Sequence, residues 1–145
     1  MITIVDYGVG NLSAFMNIYE ELGITCRLAK NNDELAIAQK IILPGVGHFD
    51  FAMEKLNQSG MLATLNDLVL IKKIPVLGVC VGMQMMATSS EEGSMKGLNW
   101  IDAEVKKISF KPEDKIKLLP HMGWNTIDIS SNSKIVSGLN PEEDF

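Results

Sequence analysis

Short apolar runs alternate with segments of helical period along the first ninety residues. Ile2 to Val5 is apolar with one polar break at Thr3, the pattern of a strand buried on both faces of a parallel sheet. From Asn11, Leu12, Phe15, Met16, Ile18, Tyr19 and Leu22 recur at i, i+3, i+4 spacing until Gly23. This predicts a helix capped by Asn11 and stopped by glycine. A second strand is expected over Thr25 to Ala29, with Cys26 as a small core residue. A short helix over Asp33 to Ala38 and a third strand over Lys40 to Leu43 follow. That βαβαβ alternation implies a parallel sheet covered by helices.

Helical periodicity then runs from His48 to Lys73 in two pieces, Phe49, Met53, Leu56 and Met61, Leu62, Leu65, Leu68, broken at Ser59-Gly60. Ile74, Val76, Leu77 and Val79 form a fourth apolar run, which passes into Met83, Met86 and Ala87 at helical spacing. After Gly97 the texture changes. Trp100 to Ile108, Lys115 to Leu119 and Trp124 to Ile129 read as hairpin-type antiparallel strands added beside the parallel sheet. Turns at residues 111–114 and 120–123 would link them, residues 130–133 would be a polar loop, and residues 140–143 another turn. With 145 residues a single domain over 1–145 is expected.

Charge and composition narrow the function. A net charge of −5 without a dense Lys/Arg cluster argues against a nucleic-acid partner or an anionic membrane surface. The longest apolar stretch, Leu68 to Met86, is interrupted by Lys72, Lys73 and Pro75, so no membrane span is expected. Met1 leads straight into a strand with no basic leader. Cys26 and Cys80 form no C-x-x-C pair and no metal spacing with His48 or His121. A soluble protein of the reducing cytoplasm, with no cofactor and no metal, is the expectation. Gly8-x-Gly10 follows the first strand, but Ser13 stands where a dinucleotide fingerprint has its third glycine, and no acid ends the second strand.

The chemistry concentrates at Gly78-Val79-Cys80-Val81-Gly82. A G-x-C-x-G run between a strand and a helix is the cysteine form of the nucleophile elbow, in which flanking glycines relieve crowding around a strained turn. A helix starting near Val81 would aim its positive end at the sulfur, an effect worth about 0.3–1 kcal/mol. That alone does not make a nucleophile; a base is required. The bland alternative is a core cysteine between packing glycines. Pro44-Gly45-Val46-Gly47, at the carboxyl end of a parallel strand, could be an oxyanion hole or a plain β–α turn. His48 reads as a surface residue that starts a helix. The acids of Ser89-Ser90-Glu91-Glu92-Gly93 could simply be solvated.

Together with Pro120-His121-Met122-Gly123-Trp124-Asn125, these segments resemble the class I (triad-type) glutamine amidotransferases. They look most like the glutaminase subunits of imidazole glycerol phosphate synthases. The resemblance covers essentially the whole chain. It implies a flavodoxin-like α/β fold, a mostly parallel sheet with helices on both faces, truncated at the C-terminus. It implies further that Cys80 attacks the side-chain amide of L-glutamine to give a glutamyl thioester and ammonia. Gly45, Val46, Gly47 and Val81 would form the oxyanion hole. Gln84 would hydrogen-bond the bound glutamine, and Glu92 would hold its α-amino group. Gly10, Asn11 and Trp124 would face a synthase subunit of (β/α)₈-barrel type, into which ammonia passes to make imidazole glycerol phosphate in histidine biosynthesis. Trp124 as a core residue and Gln84 as a solvated one stay open on the residues alone.

Two departures accompany the resemblance. The family's His-Pro-Glu segment, with the general base and its orienting acid, has no counterpart in these 145 residues, so the chain as written is expected to be a poor glutaminase. Val81 stands where the family more often has Leu. Three other functions fit part of the pattern: the same chemistry serving amidination of a surface-polysaccharide sugar, a non-catalytic interaction domain, and a cysteine hydrolase or chaperone of flavodoxin-like type. The last would not require Gln84 or Glu92.

Overall fold

The computed structural model describes residues 1–110, 119–120, 123–124, 126–129 and 134–140. Contacts group residues 1–108 and residues 109–145 into two compact units. In the first, β1 (Ile2–Val5), β2 (Cys26–Ala29), β3 (Ile41–Leu43) and β4 (Val76–Gly78) form a parallel sheet of order β2-β1-β3-β4. The central strand β3 is buried along its whole length, whereas β4 is half exposed. This is why Ile41, Ile42 and Leu43 are an unbroken apolar run.

The connecting helices are α1 (Leu12–Glu21), α2 (Asn32–Ala36), α3 (Phe49–Gln58) and α4 (Leu62–Asn66), the last running on into a π-helical turn at Asp67–Ile71. Strand order reverses between the β1-to-β2 and β2-to-β3 connections. Right-handed crossovers therefore place α1 on one face and α2 to α4 on the other. The side chains of Asn11 and Asn31 cap α1 and α2 by accepting the Ala14 and Glu34 amides. Phe49, Leu56, Met61, Leu65 and Leu68 meet Val5, Ile41 and Leu43 in one core. Each such side chain contributes about 1.5–3 kcal/mol by leaving water.

Beyond β4 the structure departs from the sequence expectation in three places. The helix after the elbow, α5 (Val81–Gln84), is a single turn. It stops because the Met85, Met86 and Ala87 carbonyls are taken by the amides of Leu98, Asn99, Trp100 and Ile101. Those same bonds wrap residues 98–101 around the end of α5 instead of laying them out as a hairpin strand. What remains of the expected antiparallel addition over Trp100 to Ile108 is β6 (Glu104–Val105), which pairs parallel to β5 (Ser89–Ser90). Trp124 and residues 126–129 carry no strand either. A strand exists only by pairing, and no backbone bond from these residues to another strand is present among the described residues.

Cys26 is half-buried instead of sealed in the core, its Sγ lying 3.2 Å from Met16 Sδ. The second unit contributes a short 3₁₀ turn at Lys134–Val136. Residues 115–118 of the strand expected over Lys115 to Leu119, the turn at residues 111–114, His121 and the loop at 130–133 fall outside the residues described, and Leu119 itself carries no strand.

Candidate functional site

β3 and β4 end level, Leu43 opposite Gly78, so the loops that leave them emerge side by side. The register is continued past the sheet by the Val79 N–H, which donates to Leu43 O at 3.0 Å. Cys80 follows with φ of 56° and ψ of −124° and is exposed. A non-glycine residue held there costs about 1–3 kcal/mol. A cysteine seated in a core strand would not need that backbone, so the elbow holds and the bland alternative does not.

Three glycines make the elbow possible by absence of a side chain. A Cβ on Gly78 would collide with the backbone of Met83, and one on Gly82 with the Leu43 and Pro44 carbonyls. From the other side, a Cβ on Gly45 would overlap the Gly82 amide. Pro44 to Gly47 is thus interlocked with the first turn of α5 through bare backbone. The buried Tyr7 hydroxyl donates to Pro44 O at 2.6 Å and pins the loop to β1. Burial raises that phenol well beyond its usual range.

The Gly82, Met83 and Gln84 amides are used by the Val79 and Cys80 carbonyls. Among the described residues, the amides of Val81, Gly45, Val46 and Gly47 have no such acceptor. Of these residues, Gly47 and Val81 lie beside Cys80. The single turn of α5 adds little dipole to them.

In front of Cys80 lies a hollow of about 590 Å³ lined by Gly47, Cys80, Val81 and Gln84 on one side and Ser90 to Glu92 and Val105 to Lys107 on the other. Its far wall is the β5–β6 pair. The two acids there point to different walls: Glu91 Oε2 accepts the Lys107 N–H at 2.8 Å, and Glu92 Oε2 accepts the Phe49 N–H at 2.9 Å. Glu92 is exposed, and its remaining lone pairs are available to a cationic group. No histidine lines the hollow among the described residues. His48 sits at the start of α3, where its Nδ1 accepts the Asp50 N–H at 3.2 Å.

The description "glutamine amidotransferase class-I" matches residues 3–144. Similar proteins include the imidazole glycerol phosphate synthase subunit HisH of Leptospira interrogans, 48% identical over 145 residues, all of this chain and 71% of the relative. The protein of the same name in Bdellovibrio bacteriovorus is 50% identical over the same shares. The imidazole glycerol phosphate synthase subunit HisH 2 of Pseudomonas aeruginosa is 41% identical, again over all of this chain and 70% of the relative. The chain belongs to the class I glutamine amidotransferases.

Of the positions that an amidotransferase reading singles out, the hollow gathers Gly47, Cys80, Val81, Gln84 and Glu92. Gly45 lies behind it against the α5 backbone, and the Val46 side chain is exposed. Gly10 packs on Pro44, and Asn11 caps α1. Trp124 belongs to the second unit and is 80% exposed, so it is not a core residue.

Sequence reasoning passed over Tyr7, Asp50, Lys106 and Lys107. Tyr7 lies in the loop after β1, and Asp50 in the first turn of α3. Asp50 accepts hydrogen bonds from the Ser94 and Met95 amides at 2.9 Å. These two bonds, Ser94 first, hold its carboxyl below the usual carboxylate range. A carboxyl lowered on folding adds stability above its unfolded value of about 3.9, and that stability drains away as pH falls from there through the folded value. Asp50→Asn is therefore expected to flatten the acid limb below about pH 4 in melting temperature measured against pH. An unchanged limb would show the bonds to be energetically silent.

Among the described residues no helix is long and apolar enough to cross a membrane.

Proposed function

We propose that this chain is the glutaminase subunit of an imidazole glycerol phosphate synthase and that Cys80 is its nucleophile. The observation that carries the reading is the strained, exposed Cys80 at the mouth of a hollow shared with Gln84 and Glu92. The relatives' shared name supplies the pathway, histidine biosynthesis. L-Glutamine enters with its α-ammonium on Glu92 and its polar groups within reach of Gln84. Cys80 Sγ then forms a bond to the side-chain amide carbon. The oxyanion of the tetrahedral intermediate is met by the Val81 N–H and by amides of Gly45, Val46 and Gly47, the kind of preset donor that lowers such barriers most. Collapse expels ammonia, which carries away the proton lost by the thiol, and leaves a glutamyl thioester. Water hydrolyses the thioester to glutamate and regenerates the thiol. A base must relay that proton, and His48 does not serve, since its Nδ1 is committed to α3.

Ammonia is consumed by a synthase subunit of (β/α)₈-barrel type. Gly10, Asn11 and the exposed Trp124 are the residues assigned to that partner. The setting is the cytoplasm, where Cys80 persists as a free thiol. No cofactor takes part in the steps written above.

A diazoketone analogue of glutamine, applied to the protein in complex with its synthase, is expected to alkylate Cys80 alone, with excess L-glutamine protecting it. Cys26 is disfavoured because it is half-buried against Met16 and burial raises its thiol. Peptide mass spectrometry that places the adduct on Cys26, or finds it unprotected by glutamine, would overturn the assignment.

A further inference from the structure

The first two residues of α3 grip the segment that carries Glu92 from both sides. The Phe49 N–H donates to the Glu92 carboxylate itself at 2.9 Å. One residue on, the Asp50 carboxylate accepts the Ser94 N–H at 2.9 and 3.1 Å, the Met95 N–H at 2.9 Å and the Ser94 hydroxyl at 3.3 Å. Between the two lies Gly93, where a Cβ would overlap Asp50 Oδ1. An acid in a first helical turn usually answers the helix dipole or its own amides. Here every hydrogen bond that the carboxylate makes to a described residue leaves the helix for residues 94 and 95. Glu92 is left with its direction fixed by a loop that Asp50 closes.

We propose that Asp50 is a positioning residue for glutamine recognition, holding the residue 90–95 loop so that Glu92 presents its carboxylate to the hollow. The inference rests on the proposed function, in which Glu92 meets the substrate's α-ammonium. Asp50 touches neither substrate nor sulfur. Its removal therefore weakens binding through Glu92 and leaves the acyl-transfer step alone, which is a change in KM and not in kcat.

The test is a double-mutant cycle on glutamine hydrolysis by the complex with its synthase, in a chain that carries the family's general base. Asp50→Asn, nearly isosteric and keeping one acceptor, is expected to raise KM for glutamine roughly 5–10-fold with kcat held within about twofold, since one charge-assisted bond is at stake. Glu92→Gln is expected to raise KM at least as much. In the Glu92→Gln background, Asp50→Asn should add nothing, because coupled residues are non-additive. Gly93→Ala reaches the same contact from the opposite side and should reproduce the KM effect even if Asp50→Asn folds poorly. If Glu92→Gln raises KM while Asp50→Asn and Gly93→Ala do not, the inference falls and the proposed function stands. The inference falls likewise if the Asp50→Asn effect persists undiminished in the Glu92→Gln background, or appears in kcat. If Glu92→Gln leaves KM unchanged, the role of Glu92 and this inference fall together.

Discussion

In a chain that also carries the family's general base, replacing Cys80 with serine is expected to cut glutamine-dependent formation of imidazole glycerol phosphate by about 10⁴-fold or more, on the scale seen when a nucleophile is removed from a unit that acts together. Synthesis from ammonium salts should be untouched. The two results separate because only glutamine needs a thioester; free ammonia reaches the partner's site without one. The geometry makes serine a poor substitute even though it is nearly isosteric. The turn at φ of 56° and the hollow lined by Gln84 remain, but an alkoxide is far harder to generate than a thiolate. Assays of the complex with each nitrogen source decide the matter. Loss of both activities would mean that Cys80 holds the assembly together instead of attacking an amide.

The second large effect is expected at a residue with no side chain. Gly45→Ala places a methyl group where the Gly82 amide and the Val81 carbonyl carbon now stand. Neither is a flexible side-chain end, so the backbones must part by about 1 Å, a displacement that costs about 100-fold in an active site. If the parting also withdraws an oxyanion donor, the loss in kcat reaches about 10²–10³. Overpacking lowers stability by about 1–3 kcal/mol as well. Steady-state kinetics with glutamine, set beside ammonia-dependent synthesis and thermal melting, separates the two components. A variant that melts earlier but keeps kcat would refute the oxyanion role of this loop.

The parallel βαβ frame was legible because its signals are local. Asn11, Gly23 and the period of Leu12 to Leu22 fix α1, and the unbroken Ile41-Ile42-Leu43 run marks a strand covered on both faces. Cys80 was legible because glycine at both 78 and 82 has no local reason to exist, and the reason is a close approach of backbones. The segment after Gly97 was misread because its apolar residues alternate like a strand while its amides serve a distant turn, closing off α5. Alternation reports which side chains find cover. It is silent on where the backbone hydrogen bonds go. Asp50 and Tyr7 were missed for a related reason: their partners, Ser94 and Pro44, are 44 and 37 positions away. Nothing in the spacing around either residue advertises them.

The left-handed backbone at residue 80 implies a trade between resilience and reactivity. Glycine adopts that conformation freely, so Cys80→Gly should relieve about 1 kcal/mol or more of the burden carried there, offset in part by the greater freedom glycine confers on the unfolded chain. The variant would be the sturdier protein and an inert one. The sulfur thus stands at a position where backbone strain alone favours glycine.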